Sequence, residues 1–344
     1  MEHTEAEGTH ARASKPTVSV VITVKNDASG VQLALDSLAR QTRLPDEIIV
    51  VDGGSSDGTW PSLEGLAQTR RNLRVLRAPG ANIAAGRNLG TQAARSGIVA
   101  TTDSGCCAAA DWLEKLIAPF EADPATDFVG GFYHVDSRTL FEEVVGLATM
   151  RGQLDPVCEG TFNPSGRSMA YRKDLWRRAG GWPQWLLYSE DTLFDHKMRQ
   201  LHANWRLAQD AVVHWRPRST SRALAKQFYL YGTGRGHTQI GAADFAYNLR
   251  NLAAVSATAL LTIATAWVLP LLVFLVVYFY VWTFHAKAAR IAGRTRRLTS
   301  YPITLWVMWI VLFSNLAGYL VGSWQRWRSG GQLALAMRAY LATE

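Results

Sequence analysis

Two aspartates stand directly after short apolar runs, and small turn-forming residues follow each of them. Asp52 follows the run at 48–51 and opens a Gly-Ser-Asp loop, while Asp103 follows the run at 98–102. Such runs are typical of buried parallel strands, and ligands bind just beyond the carboxyl ends of those strands. The pattern therefore predicts two carboxylates at one ligand-binding edge. The alternative is that Asp52 and Asp57 only shape a turn.

The elements that would position these carboxylates alternate between strands and helices. Strands are predicted at 18–24, 48–51, 73–76 and 98–102, and helices at 29–41, 61–69 and 83–94. This order argues for a parallel α/β sheet. Further along, we predict a helix at 112–121, strands at 128–134 and 205–214, and a helix at 192–201 that opens with Glu190 and Asp191.

Length and the distribution of charge narrow the class of protein. The 344 residues are 48% hydrophobic, which suffices for one large domain and a further segment. From Arg216 onward, 14 Lys and Arg stand against two acidic residues, whereas 22 basic and 26 acidic residues precede it. A basic segment mixed with long apolar runs indicates an anionic membrane surface as partner and no nucleic acid.

The cysteines and the N-terminal residues indicate the compartment. Three cysteines without metal-type spacing, and no apolar leader in residues 1–15, predict a reducing, cytoplasmic environment. We expect the cysteines to be packed small side chains. The polar residues 1–15 are expected to form a disordered tail.

The last third of the chain contains long uncharged stretches. Residues 252–284 lack any charged side chain, and as one helix they would be about 50 Å long against a hydrocarbon core of about 30 Å. We therefore predict a hairpin of two short transmembrane helices, broken near 267–270, and a further span at 303–323. A basic cytoplasmic loop at 285–300 would join them, with an amphipathic basic interface segment at 219–251 before and a tail at 324–344 after. A soluble hairpin would instead need a partner to cover three apolar helices.

Six motifs in order resemble the inverting family 2 glycosyltransferases, whose catalytic domain has the nucleotide-sugar-binding, Rossmann-like α/β fold called GT-A. They are VSVVITVKN at 18–26, VVDGGSSDGT at 50–59, GRNLGTQAA at 86–94, TDSG at 102–105, GGW at 180–182 and EDT at 190–192. The match runs from about residue 16 to residue 214. It implies a GT-A catalytic domain at 16–218, followed by a C-terminal α-helical transmembrane region.

The resemblance implies a site for a nucleotide-sugar donor. Asp52 would accept a hydrogen bond from the nucleotide base, Asp103 would hold the ribose and a divalent cation, and Arg87 would lie near the diphosphate. The remaining members of this predicted site are Val24, Asn26, Asp57 and Asn88.

The same resemblance implies the catalytic group. Asp191 would be the general base, with Glu190 as the alternative. When a sugar is transferred from a sugar nucleotide, the nucleotide part leaves as a diphosphate. The site therefore needs positive charge to stabilise this leaving group and a carboxylate to take the proton of the acceptor hydroxyl. One base without a second, nucleophilic carboxylate implies direct displacement with inversion.

The acidic signature departs from the family pattern. The family commonly has Asp-x-Asp, whereas this chain has Asp103 followed by Ser104 and Gly105, so the second carboxylate is missing. Oxygen ligands suit Mg²⁺ or Mn²⁺, and His214 resembles the late histidine that completes such a site in many GT-A enzymes. We expect a Mn or Mg cofactor at Asp103 and His214. A histidine beside Trp215 at a strand end is also common as packing.

Residues 163–185, rich in Gly, Pro and Trp, would form the acceptor side. Trp182, Trp185 and Tyr188 offer flat faces for sugar rings, although aromatic residues in such a segment are equally ordinary core. The other predicted acceptor-binding residues are Arg167, Gln227 and Arg235.

The C-terminal third narrows the resemblance to the membrane-bound bacterial exopolysaccharide glycosyltransferases of the succinoglycan-biosynthesis type. Its segment KQFYLYGTGR at 226–235 carries that likeness, which implies non-processive transfer of one sugar to a polyprenyl-diphosphate-linked saccharide. The enzyme would be a multi-pass protein of the bacterial inner membrane with its catalytic domain facing the cytoplasm. The Gln-x-x-Arg-Trp motif of processive synthases is absent, because Phe-Tyr-Leu-Tyr follows Gln227.

An ion or solute channel is disfavoured because the predicted transmembrane spans contain no charged residue. Two other functions stay open. One alternative is a polyprenyl-monophosphate glycosyltransferase of the dolichyl-phosphate-sugar synthase type. The other is a non-catalytic membrane scaffold that retains the fold.

Overall fold

The computed structural model describes residues 15–264 and 269–342, so all but Lys15 of the predicted disordered tail lies outside the described residues. Within that part of the chain, eight strands form one sheet. The strands are β1 (Val18–Val24), β2 (Glu47–Asp52), β3 (Leu73–Arg77), β4 (Ile98–Asp103), β5 (Cys106–Ala108), β6 (Phe128–Val135), β7 (Met169–Arg172) and β8 (Trp205–Trp215). Their order across the sheet is β3-β2-β1-β4-β7-β6-β8-β5.

The helices that connect the strands cover the two faces of this sheet. They are α1 (Ala28–Leu38), α2 (Thr59–Thr69), α3 (Ile83–Ala93), α4 (Trp112–Ala122), α5 (Leu140–Thr149), α6 (Lys173–Arg178) and α7 (Glu190–Gln200). Residues of β1 alternate between the two layers: Val20 and Ile22 pack on one side, and Val21 packs on the other. This alternation follows from the two-residue period of a strand.

The first four strands confirm the predicted parallel α/β arrangement. β1 pairs in parallel with both β2 and β4, and β2 pairs in parallel with β3. Every residue of β2 is buried, as expected for a β-branched strand that is covered on both faces.

The second half of the sheet is mixed. β7 runs antiparallel to β4 and β6, and β5 runs antiparallel to β8. β5 and β7 were not predicted, because strands of three and four residues carry little periodicity. It also missed α5, whose capping box of Thr139 and Glu142 is a readable signal. Among the cysteines, only Cys106 is buried, whereas Cys158 is exposed, contrary to the packing prediction.

The C-terminal part consists of helices. They are α8 (Ser221–Thr238), α9 (Ala242–Ala264), α10 (Leu269–Thr295), α11 (Ser300–Arg328) and α12 (Gln332–Ala342). The predicted loop at 285–300 is wrong for most of its length, because α10 stays helical to Thr295. Of the predicted break at 267–270, residues 267 and 268 lie outside the described residues, whereas Leu269 and Pro270 begin α10.

One helix in the described ranges, α11, is long and apolar enough to cross a membrane. A third of its most apolar 18-residue window is buried inside the protein. Length and composition of this kind also suit the core helix of a soluble protein. α12 then packs back on the sheet domain, since the Tyr340 hydroxyl donates to the Gly181 carbonyl at 2.9 Å and Lys197 Nζ donates to the Leu341 carbonyl at 2.9 Å.

Candidate active site

The carboxyl ends of β2 and β4 bring the two strand-end aspartates to the same edge of the sheet. In the register of the sheet, Asp52 lies beside Val24, the last residue of β1, and Asp103 lies beside Thr23. β1 separates the two carboxylate-bearing strands. The strand order β2-β1-β4 confirms the predicted edge with its two aspartates.

The carboxylate of Asp52 is committed to its own loop. It is fully buried and accepts hydrogen bonds from the backbone N–H groups of Gly54 at 3.2 Å and Ser55 at 3.1 Å, and from the Ser55 hydroxyl. Asn26 stabilises the same loop, since its side-chain oxygen accepts from the Ser56 N–H at 2.8 Å. The turn-shaping role of Asp52 is therefore real, and its contact with a nucleotide base stays a prediction.

Asp57 also has a local role. Its carboxylate accepts from the backbone N–H of Thr59 at 3.1 Å and from the Thr59 hydroxyl at 2.5 Å, at the start of α2. The hydroxyl hydrogen bond is the main reason why the pKa of Asp57 is lowered. In this structure Asp57 organises the loop after β2.

Arg87 is the centre of the candidate site. Its guanidinium, on α3, donates to Asp103 at 2.9 Å and to Glu190 at 2.9 Å, and it lies over the Trp182 ring at 4.6 Å. Burial alone would lower the pKa of Arg87, but the carboxylates of Asp103, Glu190 and Asp191 together raise it. One buried cation thus joins the end of β4 to the start of α7.

A glycine makes room for this guanidinium. A Cβ at Gly166 would overlap the Arg87 guanidinium, so a larger residue cannot occupy the position without moving Arg87. The Gly166 carbonyl is fixed in turn by the Thr101 hydroxyl of β4, at 2.9 Å. Gly166 was not among the predicted site residues, although it stands beside the predicted Arg167.

The two acidic residues that begin α7 have different surroundings. Glu190 is 8% exposed, and burial, followed by the charge of Asp191, raises the pKa of Glu190 to about 7. Asp191 is half-buried, and one of its oxygens accepts from the Thr192 N–H at 2.8 Å. Since Glu190 is enclosed by its ion pair with Arg87, Asp191 is the carboxylate more accessible to a substrate.

Arg167 lies on the other side of Asp103. Its Nε is 3.7 Å from the Asp103 carboxylate, and its guanidinium stacks on Trp215 at 4.5 Å. That Nε is buried and lacks a hydrogen-bond partner among the described residues. Tyr231 of α8 approaches Arg167 Nη2 at 3.5 Å and accepts from Gln227 at 2.8 Å. Arg167 and Gln227, both predicted for the acceptor side, thus connect α8 to the Asp103 carboxylate.

Asn88 and Trp182 both stabilise the core, which is contrary to the platform role predicted for Trp182, whereas contact of Asn88 with the donor stays a prediction. Asn88 donates to the Trp182 carbonyl at 2.9 Å and accepts from the Trp182 N–H at 2.7 Å and from Trp176 Nε1 at 2.9 Å. Trp182 is 1% exposed and stacks on Phe194 with ring centroids 4.0 Å apart. Trp182 is therefore no exposed sugar platform, and the polar groups of Asn88 are engaged in holding the GGW loop.

The three other predicted acceptor residues, Trp185, Tyr188 and Arg235, are half-buried. Trp185 and Tyr188 lie in the turn before α7. The Arg235 guanidinium, on α8, lies over the Phe245 ring at 6.0 Å, and burial lowers the pKa of Arg235. Their contact with an acceptor stays a prediction.

Comparison with known proteins identifies the family. The family model described as glycosyl transferase family 2 matches residues 19–189. The chain carries a family 2 glycosyltransferase domain. This domain includes β1 to β7 and ends just before Glu190, so the predicted family is confirmed.

Three named proteins are similar to this chain over more than half of its length. The glycosyltransferase is 26% identical to glycosyltransferase AglE of Haloferax volcanii, over 67% of this chain and 75% of that protein. It is 24% identical to succinoglycan biosynthesis protein ExoA of Rhizobium meliloti, over 63% of this chain and 68% of that protein. A solved mannosyltransferase, PcManGT from Pyrobaculum calidifontis in complex with GDP-Man and Mn²⁺, is 19% identical with a TM-score of 0.58, over 91% of this chain and 89% of that one. The predicted GT-A fold is thereby confirmed.

The residues that could hold a divalent cation in this glycosyltransferase are few. In the described ranges, no group of three His, Cys, Asp or Glu side chains could hold a metal ion. His214 is exposed, and its ring lies 6.4 Å from that of His134. Asp103 offers one partly exposed carboxylate. This donor set fits a cation that takes most of its ligands from substrate phosphates and water, as Mg²⁺ commonly does.

Proposed function

We propose that this glycosyltransferase moves one sugar from a nucleotide-sugar donor to a lipid-linked saccharide acceptor, with inversion and without processivity. The observation that carries the proposal is the bridge from Asp103 through Arg87 to Glu190. It joins the strand end predicted to hold the donor to the helix that presents Asp191. Donor and general base would therefore lie within one cluster of charges.

In the proposed reaction Asp191 takes the proton of the acceptor hydroxyl. The hydroxyl oxygen forms a bond to the anomeric carbon as the bond from that carbon to the diphosphate breaks, and the electron pair leaves with the diphosphate. Arg167 is suited to stabilise that leaving charge, because its buried Nε has no hydrogen-bond partner within residues 15–264 and 269–342 and lies near Asp103. When bound with the donor, a Mn²⁺ or Mg²⁺ ion held by Asp103 would neutralise further diphosphate charge.

The proposed membrane location rests on the C-terminal helices. These helices expose several large aromatic side chains, which are Trp282 on α10 and Trp306, Trp324 and Trp327 on α11. Exposed tryptophans interleaved with arginines such as Arg294, Arg297 and Arg328 are typical of a membrane–water interface. We accordingly propose a protein of the bacterial inner membrane, with α11 and the predicted hairpin inserted and the catalytic domain in the cytoplasm.

The base assignment is tested by replacing Asp191. In a membrane preparation supplied with a lipid-linked acceptor, Asp191→Asn should slow nucleotide release by about 10²- to 10⁴-fold. Asp174→Asn is the matched control, because Asp174 is an exposed aspartate in the first turn of α6. Unchanged nucleotide release by Asp191→Asn would refute the role of Asp191.

The donor class is tested without any acceptor. A panel of nucleoside diphosphates and sugar nucleotides should include ligands that raise the melting temperature of the solubilised protein, with about 2.7 kcal/mol of stabilisation at 100 times the Kd. GDP-Man, which PcManGT binds, belongs in that panel. A panel in which no nucleotide stabilises the protein would contradict the donor assignment.

A second candidate function is the transfer of one sugar to polyprenyl monophosphate itself, and the burial of Trp182 supports it. That reaction needs no saccharide-binding platform, and the core position of Trp182 removes one member of the predicted platform. Trp185→Ala separates the two functions, since it should impair transfer to a lipid-linked saccharide and spare transfer to polyprenyl monophosphate. Equal activity of this variant toward both acceptors would exclude a platform at Trp185.

A further inference from the structure

Helices α8 and α11 cross at a contact that admits only glycine. A Cβ at any of four glycines would overlap a backbone carbonyl oxygen of the other helix. The glycines are Gly232 and Gly236 on α8, and Gly318 and Gly322 on α11. Each pair is spaced by four residues, the pattern that lets two helix backbones approach closely. The position of α8 is therefore fixed by α11.

A third glycine of α8, Gly234, faces the turn before α7. A Cβ at Gly234 would overlap the Tyr188 carbonyl oxygen and lie 3.0 Å from the Ser189 hydroxyl oxygen. On the same side of α8, the Ser189 hydroxyl donates to the Tyr231 carbonyl at 3.3 Å. The backbone of α8 is thus in direct contact with residues 188 and 189.

Ser189 is the hinge from which α7 starts. It has a left-handed backbone conformation with φ of 62°, which a serine rarely adopts, and its side chain makes no capping hydrogen bond to α7. Glu190 and Asp191 follow immediately. A displacement of Ser189 would displace both carboxylates and the ion pair between Glu190 and Arg87.

We propose that Gly234 is a positioning residue, through which the α8–α11 pair holds the Ser189 hinge and thereby sets the position of Asp191. This inference rests on the proposed function, because it concerns the same general base. It assigns to the C-terminal helices a part in transfer that is separate from any contact with a membrane. A role in packing alone would instead predict lost stability without a selective loss of turnover.

The test compares Gly234→Ala with Gly293→Ala, a glycine on α10 whose Cβ would meet open space. We expect Gly234→Ala to lower kcat by at least about tenfold, as expected for a displaced catalytic group. The KM for the donor and the Kd for nucleoside diphosphate should change by a smaller factor than kcat, because Asp52 and Asp103 stand on β2 and β4 and not on α7. Hydrogen exchange should rise at residues 188–193 and stay unchanged in the strands. Gly293→Ala should match the wild type in every measurement.

Several results would overturn the inference. Wild-type kcat in Gly234→Ala would do so, and so would a parallel loss of nucleotide binding with faster exchange throughout the sheet. If Gly234→Ala does not fold, Ser189→Gly decides, because glycine suits the left-handed hinge and removes only the hydrogen bond to Tyr231. We expect a several-fold lower kcat at unchanged KM, and unchanged kcat would refute the positioning role. Hydrogen exchange needs no substrate, so it tests the hinge even if the wild type transfers no sugar.

Discussion

Replacing Glu190 by glutamine should change how the stability of the protein depends on pH. Burial and the charge of Asp191 raise the pKa of Glu190 from 4.5 to about 7. Between these two pH values the folded protein keeps a proton on Glu190 that the unfolded chain has lost. Raising the pH through this window therefore lowers the free energy of unfolding. At about 1.4 kcal/mol per pH unit, the loss from this group amounts to about 3 kcal/mol.

The measurement is urea unfolding of solubilised protein, followed by tryptophan fluorescence at several pH values between about 5 and 8. Glutamine cannot ionise, so Glu190→Gln should lack this loss of about 3 kcal/mol, and its stability should approach or exceed that of the wild type at the alkaline end. Parallel pH curves for the two proteins would refute the reasoning. They would mean that folded Glu190 is already ionised near pH 6.

Glu142→Gln is the matched control because Glu142 is also a buried glutamate. Burial would raise its pKa, but hydrogen bonds from the Arg138 N–H at 2.7 Å and from Arg216 at 2.9 Å lower the pKa of Glu142. Its stabilising charge is thus lost only as the pH falls below the window tested. Glu142→Gln should lower stability by the same amount at every pH between about 5 and 8, leaving the wild-type slope.

Two further predictions concern the core and the metal. Trp182→Ala should lower the free energy of unfolding by about 3–5 kcal/mol, because it removes a buried ring stacked on Phe194. The measurement is the fall in melting temperature. Trp185→Ala is the control and should lower stability less because Trp185 is half-buried, so equal losses would contradict the core position of Trp182. EDTA should lower activity, and Mn²⁺ or Mg²⁺ should restore it. Calorimetry should detect Mn²⁺ binding to the wild type only when nucleoside diphosphate is present, because Asp103 offers a single carboxylate. Asp103→Asn should bind no Mn²⁺ even with the nucleotide. Full activity in chelator, or tight Mn²⁺ binding without nucleotide, would contradict that account.

The sheet edge could be predicted from the sequence because its signals are local. A β-branched run followed by Asp and Gly marks the end of β2, and a similar run marks the end of β4. Parallel strands then have to meet at a common edge, which places Asp52 and Asp103 near each other. The start of α7 at Glu190 was predictable for the same reason, since acidic residues suit the first turn of a helix.

The surroundings of the site residues could not be predicted because they depend on distant parts of the chain. Trp182 is buried by Phe194 and held by Asn88, 94 residues earlier in the chain. Arg167 reaches Asp103 because β7, a strand of four residues, pairs antiparallel with β4. No periodicity in the sequence indicates that pairing. The chemistry of Glu190 likewise follows from burial, which residue type alone does not show.

The contacts between α12 and α7 imply an order in which the protein is completed during synthesis. Lys197 of α7 donates to the Leu341 carbonyl, 144 residues further along the chain. At roughly 5–20 residues per second, a ribosome needs on the order of 10 s to make that intervening stretch. The helix that begins with Glu190 and Asp191 thus waits for its last packing partner until α9, α10 and α11 have been translated. Until then, the nascent sheet domain lacks the contacts that α12 makes with α7 and with the Gly181 carbonyl.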